Sequence, residues 1–246
     1  MISVTILIPT LNEEAALPAT LANVASLVPQ PDEMIIVDGG STDGTLALIK
    51  ATGHRFFISD ASGRAIQINA GVESASSEVV CILHADTLLP IDAVAVIRHT
   101  MDDPKTVLAS FTPRIGNGLN AHWRTRWGTT MHNWAKTWYA PLLFRPHLFI
   151  QGCRLLFGDH AMFVRRADYL AVGGCDPETP VMEEADLCIK LCRRGRIRMV
   201  PRFVFTSDRR IAAWGPFKAN LIYLKVGILW GLGAKKRLGA SYPDVR

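Results

Sequence analysis

The feature that most constrains this chain is a regular alternation of short apolar runs with helical patterns through its first hundred or so residues. "VTILIP" (4–9), "MIIVD" (34–38), "RFFIS" (55–59) and "VVCIL" (79–83) have the length and composition of strands. Helical patterns fall between them: over 18–28, within "STDGTLALIK" (41–50), from about residue 65, and over "IDAVAVIRHTM" (91–101). Strands apolar on both faces need cover on both faces, which helices supply when the strands run parallel. The expectation is an α/β fold with a mostly parallel central sheet flanked by helices. Such sheets bind ligands outside the carboxyl ends of their strands. That singles out the loops "PTLNEE", "DGGSTDGT" and "HADT".

The second half is less regular. Trp123, Trp127, Trp134 and Trp138 lie among Arg124, Arg126, Lys136 and Arg145, a stretch expected to form one or two helices and a loop over the site. Residues 217–234 hold an apolar segment interrupted by Lys218, Asn220 and Lys225, followed by Lys235, Lys236 and Arg237. A membrane span needs roughly 20 mostly apolar residues, so an amphipathic helix is expected, with peripheral membrane contact as a further option. No repeat or linker divides the 246 residues. One domain is expected, with a nucleotide-binding half (1–112), an acceptor-side half (113–214) and a C-terminal helix and tail (215–246).

Five cysteines without a CxxC pair argue against a disulfide framework or a zinc ribbon and fit reduced thiols in a cytoplasmic protein. The N-terminus reads as a strand, not as a signal peptide. The net charge is +5, but Arg193, Arg194, Arg196, Arg198, Arg202, Arg209 and Arg210 crowd one stretch. That crowding suits an anionic partner or a solvated basic face. No nucleic-acid recognition motif accompanies it.

Several motifs carry candidate chemistry. "VDGGSTDGT" (37–45) lacks the lysine of a phosphate loop and is not GxGxxG. What remains is a strand ending in Asp38, a glycine turn, and Ser41 or Thr42 as a helix cap. Arg64 and Asn69 open a helix in "SGRAIQINAG" (62–71), where a guanidinium suits a diphosphate. His84 and Asp86 end the fourth strand two positions apart, which on a strand puts them on one face. "FGDHAMFVRR" (157–166) places Gly158, Asp159 and His160 in a turn before a strand. "VMEEADL" (181–187) opens a helix with Glu183, Glu184 and Asp186, where the helix dipole favours acids and a general base could face a cleft.

Taken in order, "PTLNEE", "VDGGSTDGT", "GRAIQINAG", "HAD", "GDHAMFVRR" and "EEADL", with "TSDRR" (206–210) and "YPDVR" behind them, resemble the family 2 glycosyltransferases. The likeness leans toward short bacterial members named for arsenosugar biosynthesis. It implies the nucleotide-sugar-binding fold called GT-A and a divalent metal, Mg²⁺ or Mn²⁺. By that resemblance Pro9, Thr10 and Glu13 line the nucleotide pocket, and Asp38 recognises the base, usually uracil. Arg64 and Asn69 hold ribose or phosphates. Asp86 matches the second acid of the DxD metal motif, whose first acid is His84 here. Glu184 stands where the family carries its base aspartate, with Glu183 and then Asp186 as alternatives. Gly158 and Asp159 fall at the acceptor site, and Arg209 and Arg210 near the diphosphate or an anionic acceptor. The implied activity is inverting transfer of a sugar, with a UDP-linked donor expected, to an acceptor hydroxyl on a glycan, a lipid-linked molecule or a small molecule. Two alternatives stay open: a sugar-phosphate nucleotidyltransferase, and a membrane-associated nucleotide-binding homologue without activity.

Overall fold

The computed structural model describes residues 1–61, 63–116, 125–179, 181–234 and 238. Ser62, Trp123, Arg124, Lys235, Lys236, Arg237 and the closing "YPDVR" lie outside the described residues.

The expected strands form as β1 (Val4–Thr10), β2 (Glu33–Asp38), β3 (Arg55–Ile58) and β4 (Val79–Ile82). Helices α1 (Leu17–Ala25), α2 (Thr45–Ala51), α3 (Arg64–Ser74) and α4 (Ala93–Met101) alternate with them. A two-residue strand, β5 (Thr87–Leu88), precedes α4. The second half adds β6 (Thr106–Gly116), α5 (Trp127–Phe144), α6 (Pro146–Ile150), β7 (Met162–Arg165) and α7 (Arg166–Ala171). It then adds α8 (Glu183–Leu191), β8 (Arg196–Ser207), α9 (Arg209–Trp214) and α10 (Pro216–Gly231).

The eight strands among the described residues join one sheet in the order β3-β2-β1-β4-β7-β6-β8-β5. β3, β2, β1 and β4 run parallel. β7 runs antiparallel between β4 and β6, β8 is parallel to β6, and β5 is antiparallel to β8. The sheet is therefore mostly parallel, and the carboxyl ends of β1, β2, β4, β6 and β8 share one edge. Residue alternation explains why it must be covered twice. Leu7, Ile35, Val37, Val80 and Ile82 pack on one face with Ile68 and Val72 of α3 and Leu187 of α8. Ile6, Ile8, Ile36, Val79 and Cys81 pack on the other with Leu17 of α1 and Ile97 of α4.

The long strands β6 and β8 were not expected. In β8 the alternation is present, with Ile197 buried between exposed Arg196 and Arg198. The crowded arginines and Pro201 disguise it. The β6–β8 register jumps between Ser110 and Thr112, spreading Met199 and Phe203 around Pro201, so the proline falls at an irregularity where its missing N–H is tolerated. The arginine cluster is also largely neutralised. Arg194 meets Asp168, Arg198 meets Asp103 and Arg202 meets Asp92, each at 2.7 Å. Ser41 and Thr42 do not cap α2, whose N-cap is Gly44. Ser41 instead donates to Asp38 and accepts from the Asn12 amide.

Candidate active site

A cavity of about 430 Å³ opens at the carboxyl edge of the sheet. The loop after β1 contributes Pro9, Thr10 and Glu13, and the first turn of α3 contributes Arg64. His84 and Asp86 follow β4, and Gly158 and Asp159 precede β7. Glu184 comes from the first turn of α8, and Arg209 and Arg210 open α9. Residues far apart in the chain thus converge because parallel strands end on one side.

His84 and Asp86 meet the cavity for a reason other than strand alternation. β4 ends at Ile82, and a turn closed by the Thr87 amide on the His84 carbonyl (3.1 Å) carries both residues. Behind them, Gly158 lies so close that a β-carbon there would stand 2.2 Å from His84 Nε2 and 2.5 Å from Glu184 Oε1. Only glycine allows the imidazole and the carboxylate to pack at this point. Their nitrogen and oxygen are 3.9 Å apart, and neither atom has a hydrogen-bond partner. α8 enters from Met182, held at φ 74°, a left-handed conformation costly for a residue with a side chain. Strain at the start of the helix that presents the two glutamates marks a position fixed by its surroundings.

The glutamates divide their charge. Arg64 Nη1 lies 3.6 Å from Glu183 and 3.8 Å from Glu184. Burial, reinforced by the neighbouring Glu184 charge, pushes the Glu183 carboxyl up to about 8, so it is protonated at neutral pH. Burial acts against the Glu184 carboxylate too, but His84 and Arg64 outweigh it and hold that group below the ordinary glutamate value. One negative charge therefore resides on the pair, on the residue that lines the cavity.

Arg209 bridges the other side. Its guanidinium grips Glu13 through two bonds of 2.7 and 2.6 Å and approaches Asp86 Oδ2 at 3.2 Å. Two-pronged pairing of this kind sets orientation as well as energy. A divalent ion can be tested against these groups. No cluster of three or more His, Cys, Asp or Glu side chains able to hold a metal occurs among the described residues. Mg²⁺ commonly takes only one or two protein carboxylates beside phosphate oxygens and water, and imidazole suits Mn²⁺. Asp86 at the cavity wall and the orphaned His84 Nε2 fit an ion that arrives with a diphosphate.

Four expected site residues stand behind the wall. Asp38 is fully buried, accepting from the amides of Gly40 (3.0 Å) and Ser41 (2.8 Å), and Thr10 Oγ1 links it to the cavity at 3.3 Å. Asn69 clasps both the amide and the carbonyl of Cys175 at 2.9 Å, which ties α3 to the segment before α8. Asp186 accepts from the Trp230 indole at 2.9 Å and so anchors α10. Glu183 meets the site through Arg64 and Glu184.

Other wall residues escaped the sequence reading. Gln67 donates to the carbonyls of Thr10 (2.6 Å) and Val37 (2.8 Å), closing the gap between β1 and β2. Lys136 of α5 sits 3.8 Å over the Phe157 ring, and burial draws its amine below the ordinary lysine value. Asn133 donates to Asp159. His160, which the sequence places in the same turn, stands behind the wall: its imidazole, fully buried beside Asp159, falls to about 4 because burial disfavours its charge, so it is neutral. A polar residue every third or fourth position on α5 was the available signal, masked there by the tryptophans.

The fold has counterparts among solved structures. TarS from Staphylococcus aureus, solved as residues 1–349 with UDP, matches with a TM-score of 0.63 at 15% identity, over 92% of this chain and 65% of that one. Glucosyl-3-phosphoglycerate synthase from Mycobacterium tuberculosis, solved with Mn²⁺, UDP and phosphoglyceric acid, matches with a TM-score of 0.63 at 21% identity, over 99% and 80%. At these identities the likeness concerns the fold, and it is the GT-A fold. Among curated relatives, poly-beta-1,6-N-acetyl-D-glucosamine synthase of S. aureus is 34% identical over 120 residues, 46% of this chain but 29% of that protein. The chain thus spans less than a third of that relative. An uncharacterized glycosyltransferase of Mycobacterium bovis is 27% identical over 132 residues, 54% of this chain and 58% of that one. The family model "Glycosyl transferase family 2" matches residues 5–173. Since that match covers well over half of the chain, this protein belongs to glycosyl transferase family 2.

Proposed function

We propose that this protein transfers a sugar from a UDP-linked donor to an acceptor hydroxyl with inversion at the anomeric carbon, and that Glu184 is the general base. The observation that carries the proposal is the placement of Glu184: the first turn of α8 sets it in the cavity wall, with Arg64 Nη1 at 3.8 Å and His84 Nε2 at 3.9 Å, while its neighbour Glu183 stands behind the wall. A base must be unprotonated and within reach of the proton it takes. The UDP in the complexes of TarS and of the mycobacterial synthase supports the choice of donor.

In this reading the acceptor oxygen attacks the anomeric carbon from the side opposite the diphosphate. Its proton passes to Glu184, the sugar–phosphate bond breaks, and the electron pair leaves on the diphosphate. Arg64, Arg209 and Arg210 offset the charge that develops there. Asp86 and His84 would hold Mg²⁺ or Mn²⁺, which when bound neutralises the leaving diphosphate. Asp38 would read the base edge from behind Thr10, and Asn69 would serve the nucleotide indirectly by fixing the end of α3. Gly158 and Asp159 would border the acceptor. Nothing in the cavity wall selects an arsenosugar in particular.

Glu184→Gln tests the proposal. Transfer should fall by about 10²–10⁴-fold, while calorimetric affinity for UDP with Mn²⁺ stays near that of the parent. A variant that keeps parental turnover removes Glu184 from this role. The donor can be found by thermal shift across nucleotide sugars with and without Mn²⁺, since a bound donor raises the melting temperature by mass action.

A further inference from the structure

α5 is built inside out. It buries Thr129, Thr130, Asn133 and Thr137 against the body of the protein. Its outer face carries Trp127, Met131, Trp134, Trp138 and Leu142, which are 38–65% exposed and follow a spacing of four, three, four and four residues. α10 repeats the pattern. Phe217, Leu221, Leu224, Ile228 and, just past its end, Leu232 are 42–83% exposed at the same spacing. Helices of a water-facing surface carry the opposite arrangement. Two apolar stripes on neighbouring helices mark a surface meant to be covered.

Three observations identify what covers it. α5, α6 and α10 contain no aspartate or glutamate, whereas exposed Lys218 and Lys225 sit beside the α10 stripe. That complements an anionic surface. Three of the exposed side chains are tryptophans, whose apolar body and polar N–H suit the boundary between water and lipid. The face is also continuous with the cavity, because Leu143, Leu224 and Ile228 are exposed on it and line the cavity as well. A second copy seated there would close that mouth, while a lipid layer would feed it.

We infer that this face docks on an anionic bilayer and that the acceptor is a membrane-borne amphiphile, entering the cavity between α5 and α10 with its hydroxyl toward Glu184. No helix among the described residues is long and apolar enough to cross a membrane, so the contact is interfacial. The inference rests on the sugar-transfer reading only for the identity of what enters. Docking itself is measured without turnover, so the two fail separately.

The test is co-sedimentation with phosphatidylcholine vesicles carrying about 30% phosphatidylglycerol, together with quenching of tryptophan emission by brominated lipid. The parent protein should sediment with these vesicles, more weakly with phosphatidylcholine alone, and its emission should be quenched. The fourfold variant Trp134→Ser, Leu142→Ser, Phe217→Ser, Leu221→Ser changes only exposed side chains off the cavity wall. It should lose about a hundredfold in partition and keep its affinity for UDP. No sedimentation of the parent, or equal sedimentation of the variant, overturns the inference. So does a parent dimer in sedimentation velocity that the variant converts to monomer, since a second copy would then own the face.

Discussion

Glu183→Gln probes how the site divides its charge. Glu183 is 1% exposed, neither carboxyl oxygen has a hydrogen-bond partner, and its nearest cation, Arg64, is 3.6 Å away. Its carboxyl moves from 4.5 in the unfolded chain to about 8 in the folded protein. Between those values the folded state keeps a proton that the unfolded chain has lost. The stability tied to this proton is fully present below pH 4.5, falls as pH rises through about 8, and is constant beyond. The slope is about 1.4 kcal/mol per pH unit wherever the unfolded chain has lost the proton and the folded state keeps it. Glutamine keeps the length of the side chain and removes the titration. Urea unfolding of parent and variant at several pH values across this window reads the effect. The difference in unfolding free energy should grow in favour of the variant by about 1.4 kcal/mol for each pH unit. A difference that stays flat refutes the reasoning, because it would mean that Glu183 is already ionised in the native protein.

Other perturbations bear on the same site. Ionisation of Glu183 above about pH 8 adds a negative charge beside Glu184, so parental kcat/KM should fall on the alkaline side and Glu183→Gln should flatten that limb. Gly158→Ala places a methyl where His84 and Glu184 pack; kcat should drop by about 10²-fold with a much smaller change in UDP affinity, as single-turnover kinetics and calorimetry would show. Asp86→Ala should abolish the gain in UDP affinity produced by Mn²⁺ while weak metal-independent binding persists. Unchanged calorimetric affinity with Mn²⁺ would remove Asp86 as a metal ligand.

The first hundred residues disclosed their architecture because each parallel strand is apolar on both faces and each helix covers one. β1 is buried along its whole length, and a run such as "VTILIP" has few alternatives. The ordered motifs also hold part of the cavity wall, from Thr10 and Glu13 through His84 and Asp86 to Glu184 and Arg209. β8 was hidden because its arginines draw attention to charge, while their neutralisation by Asp103, Asp92 and Asp168 depends on pairings many positions apart. Lys136, Asn133 and Gln67 were hidden for a related reason, since nothing local distinguishes a polar helix position that faces a cavity from one that faces water.

Local chemistry by itself thus determined the α/β alternation, the polar loops at the strand ends and the acidic start of α8. Tertiary packing alone decided which of those acids is charged. Glu183 and Glu184 are neighbours of one residue type, and only burial, His84, Arg64 and the bare α-carbon of Gly158 set them apart. Packing also turned the tryptophans of α5 outward and its threonines inward, because the energy of a side chain depends on what the rest of the fold places against it.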